Sequence, residues 1–364
     1  MMLARRPGRP ARPSGPVQLG LPLEYPAEYP AEPPAPAGGP GGDDPWAALP
    51  FRYDRGVLLH EAELWLDPHA RRPIAYVSHG HSDHCLPHGH ALATPATAAF
   101  YRLRTRRTAV TEVPFHRPHR IKGWTIELFP AGHILGASQV MVVGPDGCRL
   151  VYTGDFKLRP APCQEPAEVR RCDVLVMECT FGHPHYRFPP LEEVVHQLRD
   201  FVERCFARGV TPVVCGYILG KGQEALCLLT RAGYRVAVHE SIHRVAKVYE
   251  AQGVNLGEYE LLSLASVPAL QGKVVLCPPH LRKTVTAPLG PCRTVMLSGW
   301  AVDPRARYRY GVDEMIGLSD HADFGELMEY VEGAGARRVY TVHGDGAFAA
   351  YLRQRGVEAY HLLT

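Results

Sequence analysis

Apolar positions along the chain fall into two regimes that change near Pro190. From Phe51 onward short apolar runs, LWLD, PIAYVSH, WTIELFP, SQVMVVG, CRLVYTGD and DVLVMEC, are separated by Gly, Pro and Asp, the pattern of successive β-strands joined by turns. After Pro190 the period lengthens. In LEEVVHQLRDFVERCFARG the residues Leu191, Val194, Val195, Leu198, Phe201, Val202 and Cys205 share one helical face, and a glycine ends the run. The spacing therefore predicts a helix followed by a strand in TPVVCGYI. KGQEALCLLTRAG, YRVAVHE, SIHRVAKVYEAQG, KVVLCPP and TVMLSGW continue the alternation, which predicts a parallel sheet with crossover helices. FGELMEYVEGAG, RRVYTVHG, AFAAYLRQRG and VEAYHLL close the chain in the same manner, and no repeat of solenoid length is visible.

Residues 1–50 carry neither pattern. They hold 13 of the chain's 34 prolines, a tandem YPAE-YPAE over Tyr25 to Glu32 and the run PAPAGGPGG, a composition that buries too little apolar surface to offset chain entropy. A disordered tail is expected, its Arg5, Arg6, Arg9 and Arg12 serving solubility or a weak phosphate tether. No run of about eighteen apolar residues occurs, and no apolar stretch follows the basic N-terminus, so neither a membrane span nor a secretory signal is predicted. The ten cysteines form no C-x-x-C pair and several sit in apolar runs, which reads as reduced, buried thiols of a cytoplasmic protein. With 40 Lys and Arg against 37 Asp and Glu, total charge neither demands nor forbids a polyanionic partner.

The chemistry concentrates after the strand Ile74 to Val77. Ser78-His79-Gly80-His81-Ser82-Asp83-His84 places three imidazoles and a carboxylate at one strand-to-loop turn, and these are the donors that borderline ions such as zinc prefer. Three further polar residues stand next to or at the ends of apolar strands: His133 in PAGHILGA, Asp155 in TGD and His343 in VHG. Strand ends are where α/β architectures place sites rather than core. Singly, Asp155 reads as a turn residue and His343 as a satisfied strand-end histidine; with the His-rich turn they complete two metal sites sharing one carboxylate.

HGHSDH, AGHILGA, TGD and VHG, in this order, resemble the metal motifs of the metallo-β-lactamase fold. Glu178 in MECTFG and His321 in LSDHAD resemble the nucleic-acid-processing β-CASP branch. Within it the chain is most similar to ligase-associated DNA exonucleases and to mRNA 3′-end processing factor-like proteins, through LDP, SHGHSDH, GKGQE, SGWA and RYRYGVD leading into LSDHAD. The resemblance implies an αββα metallo-β-lactamase sandwich from residues 51–181 and 313–364, interrupted by an α/β β-CASP insertion at 182–312. It implies that His79, His81 and His133 hold one zinc, that Asp83, His84 and His343 hold the other, and that Asp155 bridges them, with manganese as the alternative metal. Asp67 would orient a ligand from behind. His321, held in its tautomer by Glu178, would protonate the leaving oxygen of a phosphodiester.

Basic residues suggest how a polyanion is held. Arg305, Arg307 and Arg309 alternate with Tyr308 and Tyr310; in an extended strand this would put charges on one face and rings on the other. Two further clusters, Arg102 to Arg107 and His116 to Lys122, read either as solvated surface or as phosphate contacts. Lys221 in GKGQE and Lys157, two residues past Asp155, are further candidate phosphate contacts. His183, His185, His239 and His280 read as structural or surface histidines.

The expected activity is that of a two-metal DNA exonuclease in repair, associated with a DNA ligase or helicase as the resemblance implies. An RNA-processing nuclease is the alternative, since the His at position 343 resembles RNA-acting members. A thioesterase or lactonase of the same fold needs neither the insertion nor the Glu178–His321 pair, and a non-catalytic binding module would not keep every ligand position filled.

Overall fold

Alternation in the first half of the chain builds two sheets that face each other. The computed structural model describes residues 51–265 and 267–362, so the expected tail at 1–50 lies outside the described residues. Strands β1 (Arg52–Tyr53), β2 (Val57–Leu59), β3 (Leu64–Leu66), β4 (Ile74–Tyr76), β5 (His90–Ala93) and β6 (Val110–Glu112) form one sheet in that order. Next come β7 (His119–Ile121), β8 (Trp124–Pro130), β9 (Ser138–Val143), β10 (Arg149–Tyr152) and β11 (Val174–Glu178). A third sheet follows, from β12 (Thr211–Cys215), β13 (Val236–Val238), β14 (Tyr259–Leu261), β15 (Val274–Cys277), β16 (Cys292–Leu297) and β17 (Glu314–Ile316). The chain then returns through β18 (Arg338–Val342) and β19 (Glu358–His361) to complete the second sheet, ordered β19-β18-β11-β10-β9-β8-β7.

Period-two burial decides the layers. On β10, Leu150 and Tyr152 pack with Leu64, Leu66 and Tyr76 of the first sheet, whereas Val151 between them packs with Phe324, Leu327 and Phe348 of the helices Phe324–Ala334 and Ala347–Gln354. The helix Pro95–Thr105 covers the outer face of the first sheet through Ala98 and Tyr101. Helix, sheet, sheet and helix thus stack as an αββα sandwich. The third sheet is parallel throughout, ordered β14-β13-β15-β12-β16-β17, and is crossed by the helices Leu191–Ala207, Lys221–Arg231 and Glu240–Ala251. Its last strand, β17, pairs with β16 beyond residue 312, so the insertion's sheet extends past the boundary expected from sequence.

Two expectations about basic residues are corrected. Ala306–Tyr310 is a short helix, not a strand: the Asp303 carboxylate accepts from the Arg305 amide to start it, and Gly311 at φ 61° ends it. Alternate residues there no longer share a face. Lys157 and Lys221 are not free for phosphate. Lys157 is 2% exposed, with its Nζ 3.1 Å from Glu224 Oε2 and donating to the Ser319 carbonyl at 3.2 Å. Lys221 Nζ lies 2.9 Å from Asp320 Oδ2. The four buried charges cancel across the seam between the insertion and the sandwich.

Removing one partner of such a pair strands a buried charge, at a cost of about 3–5 kcal/mol. Lys157→Met is therefore expected to lower unfolding stability by about that amount in denaturant titration, and Lys157→Met with Glu224→Leu to recover most of it. Equal stability of the single variant and wild type would contradict the pairing.

Candidate metal centre

Strand direction brings the donors together. β10, β11 and β18 are mutually parallel, and β8 runs the same way because β9 is antiparallel to both β8 and β10. Their C-terminal ends therefore lie at one edge, and from them come His133 just after β8, Asp155 just after β10, Glu178 as the last residue of β11 and His343 just after β18. β3 and β4 are parallel neighbours in the facing sheet and deliver Asp67 and the turn His79 to His84. Gly154 allows the close approach of the two sheets here, since a Cβ on it would lie 2.7 Å from the Ser78 side chain. Asp67 and His343 hold left-handed backbone, at φ 40° and 55°, a conformation that costs free energy and is retained where the fold over-determines it.

His79, His81, His133 and Asp155 each offer an atom within 4.8 Å of the others, and so do His84, Asp155 and His343. Asp155 Oδ2 is 3.4 Å from His79 Nε2, 3.7 Å from His133 Nε2 and 3.5 Å from His84 Nε2, which gives it the bridging place. Asp83 stands at the exposed rim, its Oδ2 3.7 Å from His84 Nε2. Six of the seven side chains expected to be ligands thus converge, and Asp83 stands beside them.

The outward nitrogens show what the inward ones are for. His133 Nδ1–H donates to the Asp320 carbonyl at 2.8 Å, His81 Nε2–H to the Leu219 carbonyl at 3.2 Å and His84 Nδ1–H to Asp67 at 2.8 Å. A carbonyl can only accept, so each of the first two tautomers is fixed with a bare lone pair facing inward. His79 Nδ1 is anchored on Ser78 Oγ at 2.9 Å. His81 Nδ1 then lies 3.1 Å from His79 Nε2 and 2.9 Å from His133 Nε2. The lone pairs of His81 and His133 facing each other at 2.9 Å repel, and a shared cation relieves the repulsion; the donor set fits a divalent metal. Asp67 also accepts from the Ser78 amide at 2.8 Å and the Tyr152 hydroxyl at 3.1 Å, locking the carboxylate behind His84.

Electrostatics prepares the donors. Burial drives His79 and His133 far below the ordinary imidazole range and brings His81 and His343 down to about 4, so these rings stay neutral. Burial lifts Asp155 to about 7. Burial opposes protonation of His84, but Asp155, Asp67 and Asp83 outweigh it and hold the ring charged without metal. Beside the donors, Glu178 grips His321 Nδ1 with both oxygens at 3.0 and 2.9 Å while also accepting from the Phe156 amide and the Thr180 hydroxyl.

Sequence reading missed several contributors. The Leu219 and Asp320 carbonyls that anchor His81 and His133 carry no side-chain signal. His69, whose ring stacks on His343 with centroids 5.7 Å apart, had one, since it follows Asp67 by two residues.

Known proteins place this arrangement. A family described as the Zn-dependent metallo-hydrolase RNA specificity domain matches residues 305–362. The chain is 39% identical over 320 residues to a probable DNA ligase of Opitutus terrae, covering 87% of this chain and 31% of that protein. It is 26% identical over 224 residues to the transcription termination factor FttA of Pyrococcus horikoshii, covering 51% and 34% respectively. Over 157 residues it is 26% identical to the DNA cross-link repair 1A protein of Gallus gallus, covering 42% and 16%. The chain belongs to the metallo-β-lactamase-fold β-CASP family, of which divalent-metal use is part. It spans about a third or less of the length of these three relatives.

Metal uptake by metal-free protein must expel the proton on His84 and, below about pH 7, the one on Asp155. Zinc affinity measured by chelator competition is expected to fall by at least about tenfold per pH unit between pH 7 and 5, with protons released in calorimetry. Affinity independent of pH would remove these two groups from the ligand set.

Proposed function

We propose that this chain is a two-zinc nuclease that hydrolyses phosphodiester bonds of DNA, acting as an exonuclease in repair. The observation that carries the reading is that six donors and the Glu178–His321 pair meet at one edge, with Asp83 beside His84, the insertion supplying the Leu219 carbonyl that anchors His81 and the segment just after it the Asp320 carbonyl that anchors His133. His79, His81 and His133 would hold one ion and Asp83, His84 and His343 the other, with Asp155 shared. Bound divalent ions supply a water of lowered pKa and charge relief for phosphoryl oxygens. The protein's own residues do the rest. Asp67 fixes the ring of His84, and Ser78 fixes that of His79. Although burial opposes it, Glu178 and Asp155 push His321 up to about 9, so at neutral pH the ring carries the proton that a leaving oxygen needs. With Nδ1 held by Glu178, Nε2 is the nitrogen free to donate it.

DNA is favoured by the extended similarity to the Opitutus terrae ligase and by the cross-link repair relative. Association with a DNA ligase or helicase belongs to the same reading. A second reading, RNA as substrate, is supported by His343, the matched family's description and the similarity to the termination factor. A small-molecule hydrolase would have no use for the paired Glu178 and His321.

End-labelled single-stranded DNA and RNA of matched sequence, incubated with metal-loaded protein, test the choice. Shortening of DNA from one end, lost in Asp83→Ala, is expected; faster loss of RNA would replace DNA by RNA, and no loss of either would end the nuclease reading. His321→Ala is expected to slow nucleic-acid hydrolysis by about 10²–10⁴-fold. It should slow bis(4-nitrophenyl) phosphate far less, because that leaving group departs without a proton. Equal slowing on both would deny His321 the acid role.

A further inference from the structure

Rings continue outward from the candidate acid. His321 lies 6.1 Å between centroids from Phe181, which is buried, and Phe181 is 4.9 Å from Tyr186 on one side and 4.9 Å from Trp300 on the other. Tyr186 and Trp300 meet edge to face at 5.7 Å, and the exposed ring of His185 lies over Tyr186 at 4.1 Å. Tyr186 and Trp300 are each only half-buried. Large rings left partly open beside a reaction centre are unusual for core packing.

The wall is built rather than loosely assembled. Trp300 sits on the one-turn segment Gly299–Val302, whose start is capped by Ser298 Oγ accepting from the Trp300 amide at 3.2 Å. A side chain at position 299 is excluded, since a Cβ there would lie 2.7 Å from the Phe181 ring. The turn is thereby seated directly on Phe181. Against it packs the short helix Ala306–Tyr310, which carries the exposed cations Arg307 and Arg309, with Arg305 at its start.

We infer that Tyr186 and Trp300, backed by Phe181, form a stacking seat for a nucleobase next to the scissile phosphate, with the arginines of the neighbouring helix following the strand. The inference rests on the nuclease reading and adds to it how a strand is held. Stacking suits an enzyme that must accept each base in turn, because every base offers a π-face and none of the contacts reads an edge. Both wall residues belong to the insertion, 186 at its entry and 300 near its exit, while Phe181 that backs them closes the sandwich's first part, so the backed seat joins the two. His185, read from sequence as a surface histidine, would form the outer lip.

Equilibrium binding to EDTA-treated protein tests this without turnover. The probes are a fluorescent single-stranded DNA oligonucleotide and a strand of equal length whose sugars carry no bases. Wild type is expected to bind the base-bearing strand about tenfold more tightly. Trp300→Ala should lose about that factor on the base-bearing strand and none on the baseless one, while Trp300→Phe keeps most of the preference and controls for folding. A Trp300→Ala protein that retains the wild-type preference, or a wild type that binds both strands equally, overturns the seat and leaves the nuclease reading standing if DNA is still shortened. Wild type that neither binds nor shortens DNA or RNA defeats the underlying reading and the seat with it.

Discussion

Everything at the centre depends on confining like with like. Inward-facing nitrogens of His81 and His133 stand 2.9 Å apart, and the neutral rings of His79 and His133 look onto one oxygen of a buried carboxylate. Water would solvate such groups individually; burial removes that option, and only a cation satisfies all of them at once. The fold bears this cost through the strands beneath. Parallel β11 and β18 end in register at Glu178 and Val342, and β10 pairs with β11 up to Val176, so the residues at these strand ends cannot retreat from one another without unzipping the ladder. Left-handed backbone at Asp67 and His343 is the local sign of the same constraint.

The insertion takes part in this confinement. Its Leu219 carbonyl anchors His81, and the Asp320 carbonyl that anchors His133 lies on the segment where the chain leaves the insertion. Asp320 is itself gripped by Lys221 of the insertion, while Lys157 joins Glu224 to the Ser319 carbonyl. Tautomer and ring orientation at the candidate ligands are thus set from two sides, by the sandwich for His79 and His84 and by the seam for His81 and His133. A shift of the insertion would turn two ligand rings before it touched any substrate. Cleft and metal centre are therefore one mechanical unit, the arrangement expected where atoms behind the ligands tune the metal.

What the sequence made legible follows chemistry that side-chain identity must carry. A donor set for a borderline ion needs His or carboxylate side chains where strands end, so HGHSDH, AGHILGA, TGD and VHG point, without tertiary knowledge, to the residues the fold brings together. Short apolar strands bounded by turn residues, such as WTIELFP and SQVMVV, are equally plain. What stayed hidden lives in the backbone or far along the chain. Every residue has a carbonyl, so Leu219 and Asp320 give no signal. Lys157 and Lys221 looked free because their partners lie 67 and 99 residues away. The Arg–Tyr segment misleads for a different reason: its alternation has the period of a strand, while Asp303 starts and Gly311 stops a helical turn.

The donor set itself has little power to choose a substrate. Its geometry is fixed by ring tautomers and strand ends, and it would present the same polarising field to any ester that reached it. Selectivity must therefore come from groups that touch the substrate away from the reacting atoms, where contact can be made without disturbing the ligands. Those groups here belong to the insertion and its flanks: Tyr186, Trp300 and the exposed arginines of Ala306–Tyr310. His321 stands between the two sets, tied to Glu178 on the sandwich and within ring contact of Phe181 at the base of the wall. Under the proposed acid role, a substrate pressed onto that wall would be brought to His321, so binding energy spent on a base or its phosphate would be spent on positioning the leaving oxygen.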